Sequence, residues 1–499
     1  MNFFVLATAL SALYATLDPT SVAQHFAFYE LYPKTAEGRQ ALKHAWELLN
    51  RGDTLADPEL VLPAIDLQPI LSLVNRLHNE EAPQLNPEPL AVIEKLSRHL
   101  GNRKLKGHSV WTLEEVLALL PEEVDVGRGL LVAELGEAKE KIQSYEAHLD
   151  LMALQIQARL KEGAEPMEKL RAINDYIFSE MRFRFPPHSL YAKEIDVYTF
   201  LPSVLDSRRG VCLGVSILYL CLAQRLELPL QAITPPGHIY VRYMGPEGET
   251  NIETTARGID VPSELYLGIE TRSLQERNFK EVIGLAFVNR AAVSWHRNDC
   301  QTAIALYEKA RLFLADDHLL KFFLGLNYLF AGREKEGRAL LKEIQGIVPP
   351  HQISADTIGS DYLAGLCNPA AIQAVFSEVD ETRISILQKQ EKLKDVVARF
   401  PQFKQGIFHL AITYLQLGRE KEALPLLQRY TTLCPDDATA HYYLAAIQYQ
   451  RRNFNESWKS FRSSEKITSA KGHHPRALFE LRQALQRACP EPYARTTGS

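Results

Sequence analysis

The pattern of apolar and polar positions divides the chain into three parts. From about residue 36 to 180, apolar side chains recur at helical spacing, as Ala41 and Ala45 do on one face, which predicts a series of packed helices. One helix is predicted to begin after Thr112, because a threonine followed three positions later by Glu115 has the sequence of a capping box. These helices contain no candidate chemistry, so we expect them to serve packing.

The middle part, residues 170–275, combines one long apolar run with several short ones. The long run covers residues 211–226 directly after Gly210 and exceeds the length of an ordinary strand, so we predict a buried helix. Shorter runs predict strands over residues 230–233, 239–243 and 251–255. Residues 245–248 have turn composition and join the last two strands as a hairpin. We therefore predict an α+β unit in which a helix precedes an antiparallel sheet.

The last part, from about residue 284, repeats itself every 34 residues. Small, aromatic or leucine residues recur in pairs at this interval: Ala291 with Gly325, Ala303 with Gly337, Tyr307 with Leu341, Ala411 with Ala445, Ala423 with Ser457, and Leu427 with Phe461. This period, with small residues where paired helices touch, is typical of tetratricopeptide repeats. We predict an all-α solenoid with clear repeats near 284–350 and 404–470, a degenerate segment between them, and a capping helix over 475–489.

Composition narrows the functional classes. With 499 residues, 46% apolar and 23% charged, the chain has the make-up of a soluble globular protein of two or three domains. Its net charge of -5 argues against a nucleic-acid partner, because nucleic-acid-binding proteins usually present a basic surface. The six cysteines lack the paired spacing of zinc sites, so we expect no metal, no other cofactor and a reducing, cytoplasmic compartment.

The N-terminus leaves two alternatives open. Residues 3–17 are mostly apolar, which resembles the middle of a signal peptide, but the first basic residue is Lys34 and the basic leader is missing. The segment is also shorter than a membrane span, and we expect no span in the chain. The favoured interpretation is a buried first helix that ends at Asp18-Pro19. The alternative is a protein exported through an atypical signal segment and processed after Ala15.

Three residues of the middle part form a candidate catalytic group: Cys212, His238 and Glu253. Cys212 falls in the first turn of the predicted helix, where unpaired backbone N–H groups and the helix dipole favour a thiolate. His238 follows a rigid Pro-Pro-Gly turn and is expected to open a strand. If the hairpin pairs Met244 with Glu249, Glu253 is a diagonal neighbour of His238 on the same face and can orient the imidazole.

Each of these residues alone also has an ordinary structural explanation. A cysteine near a helix start usually packs, a histidine on a strand is usually a satisfied structural group, and a strand glutamate is usually solvated. The order of cysteine, histidine and carboxylate along helix, strand and strand is what favours catalysis. Cys221 lies in the middle of the apolar run and is predicted to be an inert core thiol.

Other side chains are candidates for binding substrate. Arg208 and Arg209 are candidates for an anionic substrate group or a partner, with a solvated pair in the turn as the alternative. Tyr191 and Tyr198 are candidate walls of a substrate groove, with aromatic packing under the helix as the alternative.

Four segments within residues 124–275 carry a family resemblance: Leu130-Leu-Val-Ala, Tyr176-Ile-Phe-Ser-Glu, Leu205-Asp-Ser-Arg-Arg-Gly-Val-Cys-Leu-Gly-Val-Ser-Ile-Leu-Tyr-Leu, and Pro236-Gly-His-Ile-Tyr-Val-Arg. They resemble the bacterial SirB-like branch of the transglutaminase-like superfamily, whose members often carry trailing tetratricopeptide repeats. The resemblance implies a papain-like core with a Cys-His-Asp triad, in which Cys212 and His238 match the nucleophile and the base. Glu253 stands in place of the usual aspartate, and Asn251 on the same face is a substitute orienter. Many relatives of this branch lack the cysteine and are not known as working enzymes.

The sequence thus predicts three regions: a helical region over 1–123, a transglutaminase-like cysteine domain over 124–278, and a repeat domain over 279–499. The predicted function is acyl transfer or amide hydrolysis, as in a cysteine peptidase or a transglutaminase. It is coupled to a protein or peptide partner bound in the groove of the repeats. The alternative is an inactive transglutaminase-like fold that acts with the repeats as an interaction scaffold.

Overall fold

In a computed structural model of the protein, the structure describes residues 10–51, 66–76, 80, 84–186, 195–380 and 382–490. The N-terminal helices are α1 (Val22–Leu31), α2 (Ala36–Leu49), α3 (Gln68–Asn75), α4 (Pro87–Ser97) and α5 (Leu113–Ala118). The capping box predicted at Thr112 and Glu115 is confirmed, because both of its reciprocal hydrogen bonds are present at the start of α5.

The predicted buried helix at the N-terminus falls partly on residues 1–9, which lie outside the described residues. Residues 10–14 are helical, but all five are exposed or half-buried, and Leu13 is 45% exposed. Burial is therefore wrong for the described part of this helix. Among the described residues, no helix is both long enough and apolar enough to cross a membrane.

The middle of the chain forms the predicted helix and antiparallel sheet. Its helices are α6 (Val126–Leu135), α7 (Lys139–Gln157), α8 (Pro166–Asn174), α9 (Leu201–Ser207) and α10 (Cys212–Arg225). Its strands are β1 (Gln231–Thr234), β2 (Tyr240–Gly245), β3 (Gly248–Ile252) and β4 (Gln275–Arg277). The strands lie in the order β3-β2-β1-β4, and every neighbouring pair is antiparallel.

The hairpin of β2 and β3 has the predicted register, with Met244 opposite Glu249 and Gly245 opposite Gly248. Two details differ from the prediction. The strand predicted over residues 251–255 ends at Ile252, because the chain bends there into a 3₁₀ turn over Thr254–Ala256. The edge strand β4 is an addition to the predicted sheet, because its sequence Gln-Glu-Arg has no apolar alternation that would indicate a strand.

Helix α10 lies at the centre of the core. Every residue from Leu213 to Ala223 is buried, so this helix has no solvent face, as its unbroken apolar run predicts. One continuous hydrophobic cluster extends from Val22 to Leu340 and includes α10. This core crosses both predicted domain boundaries, at 123/124 and 278/279, and those boundaries stay predictions.

The C-terminal part is all-helical, as predicted. Its helices are α11 (Phe279–His296), α12 (Cys300–Arg311), α13 (His318–Phe330), α14 (Glu334–Glu343), α15 (Ile358–Leu363), α16 (Pro369–Phe376), α17 (Arg383–Arg399), α18 (Lys404–Gln416), α19 (Glu420–Leu433), α20 (Ala438–Gln450), α21 (Phe454–Ala470) and α22 (Arg476–Ala488). The last helix buries Leu478 and Leu485 in one cluster with Trp458, which covers the apolar end of the stack.

The paired helices approach closely at the small residues that recur every 34 positions. At Gly337 of α14, an added Cβ would lie 2.8 Å from the backbone oxygen of Gly325 and 2.5 Å from the Leu329 side chain. Because a backbone oxygen cannot move away as a side-chain tip can, only glycine permits this approach. The repeat period therefore reflects a steric requirement of helix pairing.

We expect Gly337→Ala to destabilise the protein by about 1–3 kcal/mol, the usual cost of inserting a methyl group into a packed interface. Gly359→Ala is the matched control, since Gly359 also lies in a helix but its added Cβ would meet only ordinary contacts of 3.5 Å or more to Leu341. That control should be neutral or stabilising, because alanine favours helix over glycine. Thermal and urea unfolding of both variants measure the difference, and equal midpoints would contradict the steric account.

Candidate active site

Cys212 is the first residue of α10, and its side chain is half-buried. The residue before it, Val211, is extended and supplies no side-chain cap. The N–H groups of the first helical turn have no partner within the helix, so they and the helix dipole present positive potential beside the sulfur. The prediction that Cys212 lies at a helix N-terminus is therefore confirmed.

Close packing fixes where α10 begins. The Val211 N–H donates to the backbone oxygen of Tyr198 at 3.1 Å. One turn further on, a Cβ at Gly214 would lie 2.2 Å from that same oxygen, so the helix approaches this backbone only because residue 214 is glycine. Tyr198 thus supports the site through its backbone, and its role as a substrate wall stays a prediction. Tyr191, the other predicted wall, lies outside the described residues.

His238 is held by the predicted turn. Its N–H donates to the Pro235 oxygen at 3.1 Å, and Gly237 has a φ of 68°, which a type II turn requires at its third residue. The residue lies two positions before β2 rather than in it, so the prediction that His238 opens a strand is wrong. Its Nε2 lies 2.7 Å from Oε2 of Glu253, and the Cys212 thiol is close enough to the ring to raise its pKa.

Glu253 accepts four hydrogen bonds. Its Oε1 accepts from the N–H and the hydroxyl of Thr255 at 3.0 and 2.5 Å, and its Oε2 accepts from His238 and from the Tyr266 hydroxyl. The contact with His238 is as predicted, but Glu253 caps the 3₁₀ turn instead of lying in a strand. The longer side chain of glutamate permits both contacts, because one oxygen turns back to Thr255 while the other reaches the imidazole.

Tyr266 is the member of this group that sequence reasoning missed. Its ring stacks on His238 with centroids 5.8 Å apart and on Tyr240 with centroids 5.0 Å apart, at interplanar angles of 21° and 22°. Nothing in the sequence around residue 266 distinguishes it, since the residue reaches the site through a tertiary return of the chain. The signal available was limited to an aromatic residue shortly after the hairpin.

The electrostatics of the group favour a charged imidazole. Burial alone lowers the pKa of His238, but hydrogen bonds to Cys212 and Glu253 and the charges of both groups raise it to about 10. Burial raises the pKa of Glu253, but donors from His238, Thr255 and Tyr266 lower it to about 2. The arrangement can therefore hold an imidazolium between a thiol and an ionised carboxylate.

The remaining predicted residues have other partners. The Asn251 side chain accepts from Arg242 Nε at 2.9 Å and donates to the Val261 oxygen at 2.8 Å and to Ser263 Oγ at 3.0 Å. The prediction that Asn251 is a substitute orienter of His238 is therefore wrong, because its amide hydrogen-bonds Arg242 and the loop that follows the hairpin. Asn251 holds that loop in place instead.

Arg208 ends α9 in the left-handed region with a φ of 52°, which turns its side chain inward. Its guanidinium donates to the backbone oxygens of Met181 and Arg76. The solvated alternative is wrong, since the group is half-buried and anchors backbone, and substrate binding by Arg208 stays a prediction. Arg209 is half-exposed beside it and stays a candidate.

Cys221 is fully buried, and burial raises the pKa of its thiol. Both properties are those of an inert core cysteine, as predicted.

One group of side chains resembles a metal site. His108, Asp125 and Glu146 lie close enough together to suggest a cation site. However, Arg128 already binds the Glu146 carboxylate with two hydrogen bonds of 2.6 and 2.5 Å, so a guanidinium takes the position that a metal would need.

Comparison with known proteins identifies two of the chain's parts. Residues 143–276 match the transglutaminase-like superfamily, and residues 405–447 match a tetratricopeptide repeat. The chain therefore contains a transglutaminase-like domain followed by tetratricopeptide repeats. Among curated proteins, F-box only protein 21 of Mus musculus is 30% identical over 86 residues, which cover 16% of this chain and 13% of that protein. The match thus spans a small fraction of that relative's length.

Solved structures with similar helical parts have low similarity to this chain. A thermophilic TPR protein of Thermus thermophilus is 16% identical, with 41% of this chain and 98% of that chain covered and a TM-score of 0.20. The TPR2AB domain of yeast Sti1, in a complex with pHSP90, is 15% identical, with 41% and 85% covered and a TM-score of 0.22.

We expect Glu253→Gln to lower thermal stability most at about pH 5.5, because the stabilising contributions of His238 and Glu253 are both complete at that pH. The raised pKa of His238, from 6.5 to about 10, contributes stability that is complete below pH 6.5 and lost as the pH rises through 10. The lowered pKa of Glu253, from 4.5 to about 2, contributes stability that is complete above pH 4.5 and lost as the pH falls through 2. Melting temperatures of variant and wild type across this range measure the effect.

The control for this measurement is Glu276→Gln, an exposed glutamate of β4 in the same sheet. Its melting-temperature difference should show no maximum near pH 5.5. A Glu253→Gln deficit that is the same at pH 5.5 and pH 10.5 would contradict the ion pair.

Proposed function

We propose that the transglutaminase-like domain is a cysteine enzyme that transfers or hydrolyses acyl groups of amides. The observation that carries the proposal is the grouping of Cys212, His238 and Glu253, with the sulfur at a helix N-terminus and the imidazole oriented by a fully hydrogen-bonded carboxylate. This is the arrangement of nucleophile, base and orienter that cysteine acyl transfer requires.

In the proposed reaction, the Cys212 thiolate attacks the carbonyl carbon of an amide and forms a tetrahedral intermediate. The backbone N–H of Cys212, at the start of α10, is placed to donate to the developing oxyanion. His238 gives its proton to the leaving amine as the C–N bond breaks, which leaves a thioester on Cys212. Water or a second amine then attacks the thioester, and His238 accepts the proton of that nucleophile.

Two alternatives share these residues. Hydrolysis as in a cysteine peptidase and cross-linking as in a transglutaminase differ only in the second nucleophile, so both belong to the same proposal. An inactive scaffold is the competing function, and it requires the thiol to be unreactive.

All six cysteines are free, which supports a reducing compartment such as the bacterial cytoplasm. Export of the protein is the alternative.

We expect an iodoacetamide-type probe to label Cys212 at neutral pH at least about tenfold faster than Cys221, because the imidazolium stabilises a thiolate and Cys221 is buried. Peptide mapping by mass spectrometry locates the label. His238→Ala should slow the labelling of Cys212, and a Michael acceptor such as a peptidyl vinyl sulfone should label the same peptide.

Cys212→Ser is the negative control and Cys221→Ser the matched control, since it changes the other cysteine of the same helix. Label retained after Cys212→Ser would show that another thiol reacts. Equal sluggishness of Cys212 and Cys221 in the wild type would overturn the enzyme and favour the scaffold.

We also propose that the repeats bind a segment of a partner protein. A cavity of about 560 Å³ opens between α13, α18 and the loop between α19 and α20. Leu319, Phe322 and Phe408 give it apolar walls. Leu319 is 52% exposed although it is apolar, which is typical of a binding surface.

The polar lining of this cavity is rich in carboxyl groups: Glu270, Asp356, Asp436 and Asp437, against His318 and Lys404. Lys404 is already paired with Asp361 at 2.9 Å. Burial raises the pKa of Asp356 to about 6 and also raises that of Glu270, so both groups gain from a bound cation. We infer a partner segment that carries a lysine or arginine beside apolar side chains.

We expect peptides selected from a displayed random library by the full-length protein to be enriched in basic residues. Leu319→Asp should reduce their affinity by about tenfold or more, as loss of an apolar anchor does. Leu312→Asp is the matched control, because Leu312 is also 52% exposed but does not line the cavity. Acidic consensus peptides, or equal losses in both variants, would count against this groove.

A further inference from the structure

The segment between Tyr266 and β4 extends from the transglutaminase-like domain to contact the repeats, and the chain then returns to the sheet at β4. We call residues 267–273 the docked segment. It pairs in antiparallel fashion with the linker after α14, where Thr271 lies opposite Gln352. The Arg272 N–H donates to the His351 oxygen at 2.9 Å, and the Ile353 N–H donates to the Glu270 oxygen at 3.1 Å.

Side chains fix the docked segment to the last repeats as well. Glu270 accepts from Ser354 Oγ at 2.6 Å and from Thr439 Oγ1 at 2.9 Å. The buried His473, after α21, bonds the Gly268 oxygen through Nε2 at 2.8 Å. The contacts therefore reach from the middle of the repeats to their C-terminal end.

Ile269 provides the apolar part of this attachment. It is 8% exposed and packs in one cluster with Ile353 and Ala438, which are 4% and 0% exposed. Burial of an isoleucine side chain away from water is favourable, so this contact stabilises the attachment.

Tyr266 lies between this attachment and a second one. On its other side, Ser263 bonds Asn251, Arg242 and Glu249 at 3.0, 2.6 and 2.6 Å, which fixes the start of the 3₁₀ turn that carries Tyr266. The tyrosine is thus held from the hairpin on one side and from the repeats on the other. Its hydroxyl reaches the same Glu253 oxygen that accepts from His238.

We propose that Tyr266 is a positioning residue of the site and that the repeats hold it in place through the docked segment. The inference rests on the proposed function, in that the orientation of Glu253 matters for the reactivity of Cys212. The hydroxyl of Tyr266 and its stack on the His238 ring together fix the carboxylate against Nε2. Release of the docked segment frees Tyr266, and the repeats then control how firmly the imidazolium is held.

The test uses the full-length protein and the pH dependence of Cys212 alkylation. Tyr266→Phe keeps the ring stack but removes the hydrogen bond to Glu253. Ile269→Asp places a charge in the apolar cluster and releases the docked segment. We expect each change to slow alkylation at neutral pH by about fivefold, the size of an ordinary interaction between neighbouring groups. We also expect each to move the midpoint of the pH profile upward, because a loosely held carboxylate stabilises the imidazolium less.

Two further variants separate positioning from general destabilisation. Ile384→Asp is the matched control, since Ile384 is a 69% exposed isoleucine of the repeats, and it should leave rate and midpoint unchanged. The double variant Tyr266→Phe/Ile269→Asp should be no slower than the slower single variant, because both changes act through the same hydroxyl. Should Ile269→Asp fail to fold, Thr439→Val takes its place in the test, because it removes one hydrogen bond to Glu270.

Hydrogen–deuterium exchange of residues 254–267 gives a readout that does not depend on thiol reactivity. Exchange there should be faster in Ile269→Asp than in Ile384→Asp. Equal exchange in these two variants, or an unchanged pH midpoint in Tyr266→Phe, would overturn the inference. If the wild-type Cys212 is itself unreactive, the proposed enzyme fails, while the exchange comparison still decides whether the repeats hold Tyr266.

Discussion

The site depends on one imidazole that lies between a thiol and a carboxylate. His238 hydrogen-bonds Glu253 and interacts electrostatically with Cys212, and each of the three residues comes from a different backbone feature: a helix start, a proline-glycine turn and a 3₁₀ turn. None of these features is specified by the others along the chain. The buried helix α10 brings them together, because its apolar sides leave it only one location, at the centre of the core.

The parts of the fold that local chemistry specifies were predictable from the sequence. The hairpin register follows from the turn at residues 245–248, and the position of Cys212 follows from the apolar run that begins after Gly210. The parts that were missed depend on tertiary contacts. The solvated alternative for Arg208 was wrong because its inward direction follows from a left-handed helix end, and Tyr266 was missed because its partner Glu253 is reached only in the folded chain.

The glutamate at the third position of the triad illustrates how a departure from a family pattern can be accommodated. An aspartate is one methylene shorter than a glutamate. In this structure Glu253 both caps the turn at Thr255 and reaches the imidazole, with two donors on each oxygen. The charge of the carboxylate is therefore held by its surroundings before any substrate arrives, as preorganised sites require.

The continuous core affects how the protein can be divided for study. A fragment cut at residues 143–276, the limits of the superfamily match, would lose helices α1 to α6, which share its core, and every anchor of the docked segment beyond β4. Such a fragment would expose apolar surface that the intact chain covers. Its failure to fold or react would be a property of the cut, and the smallest unit that retains this architecture includes the repeats.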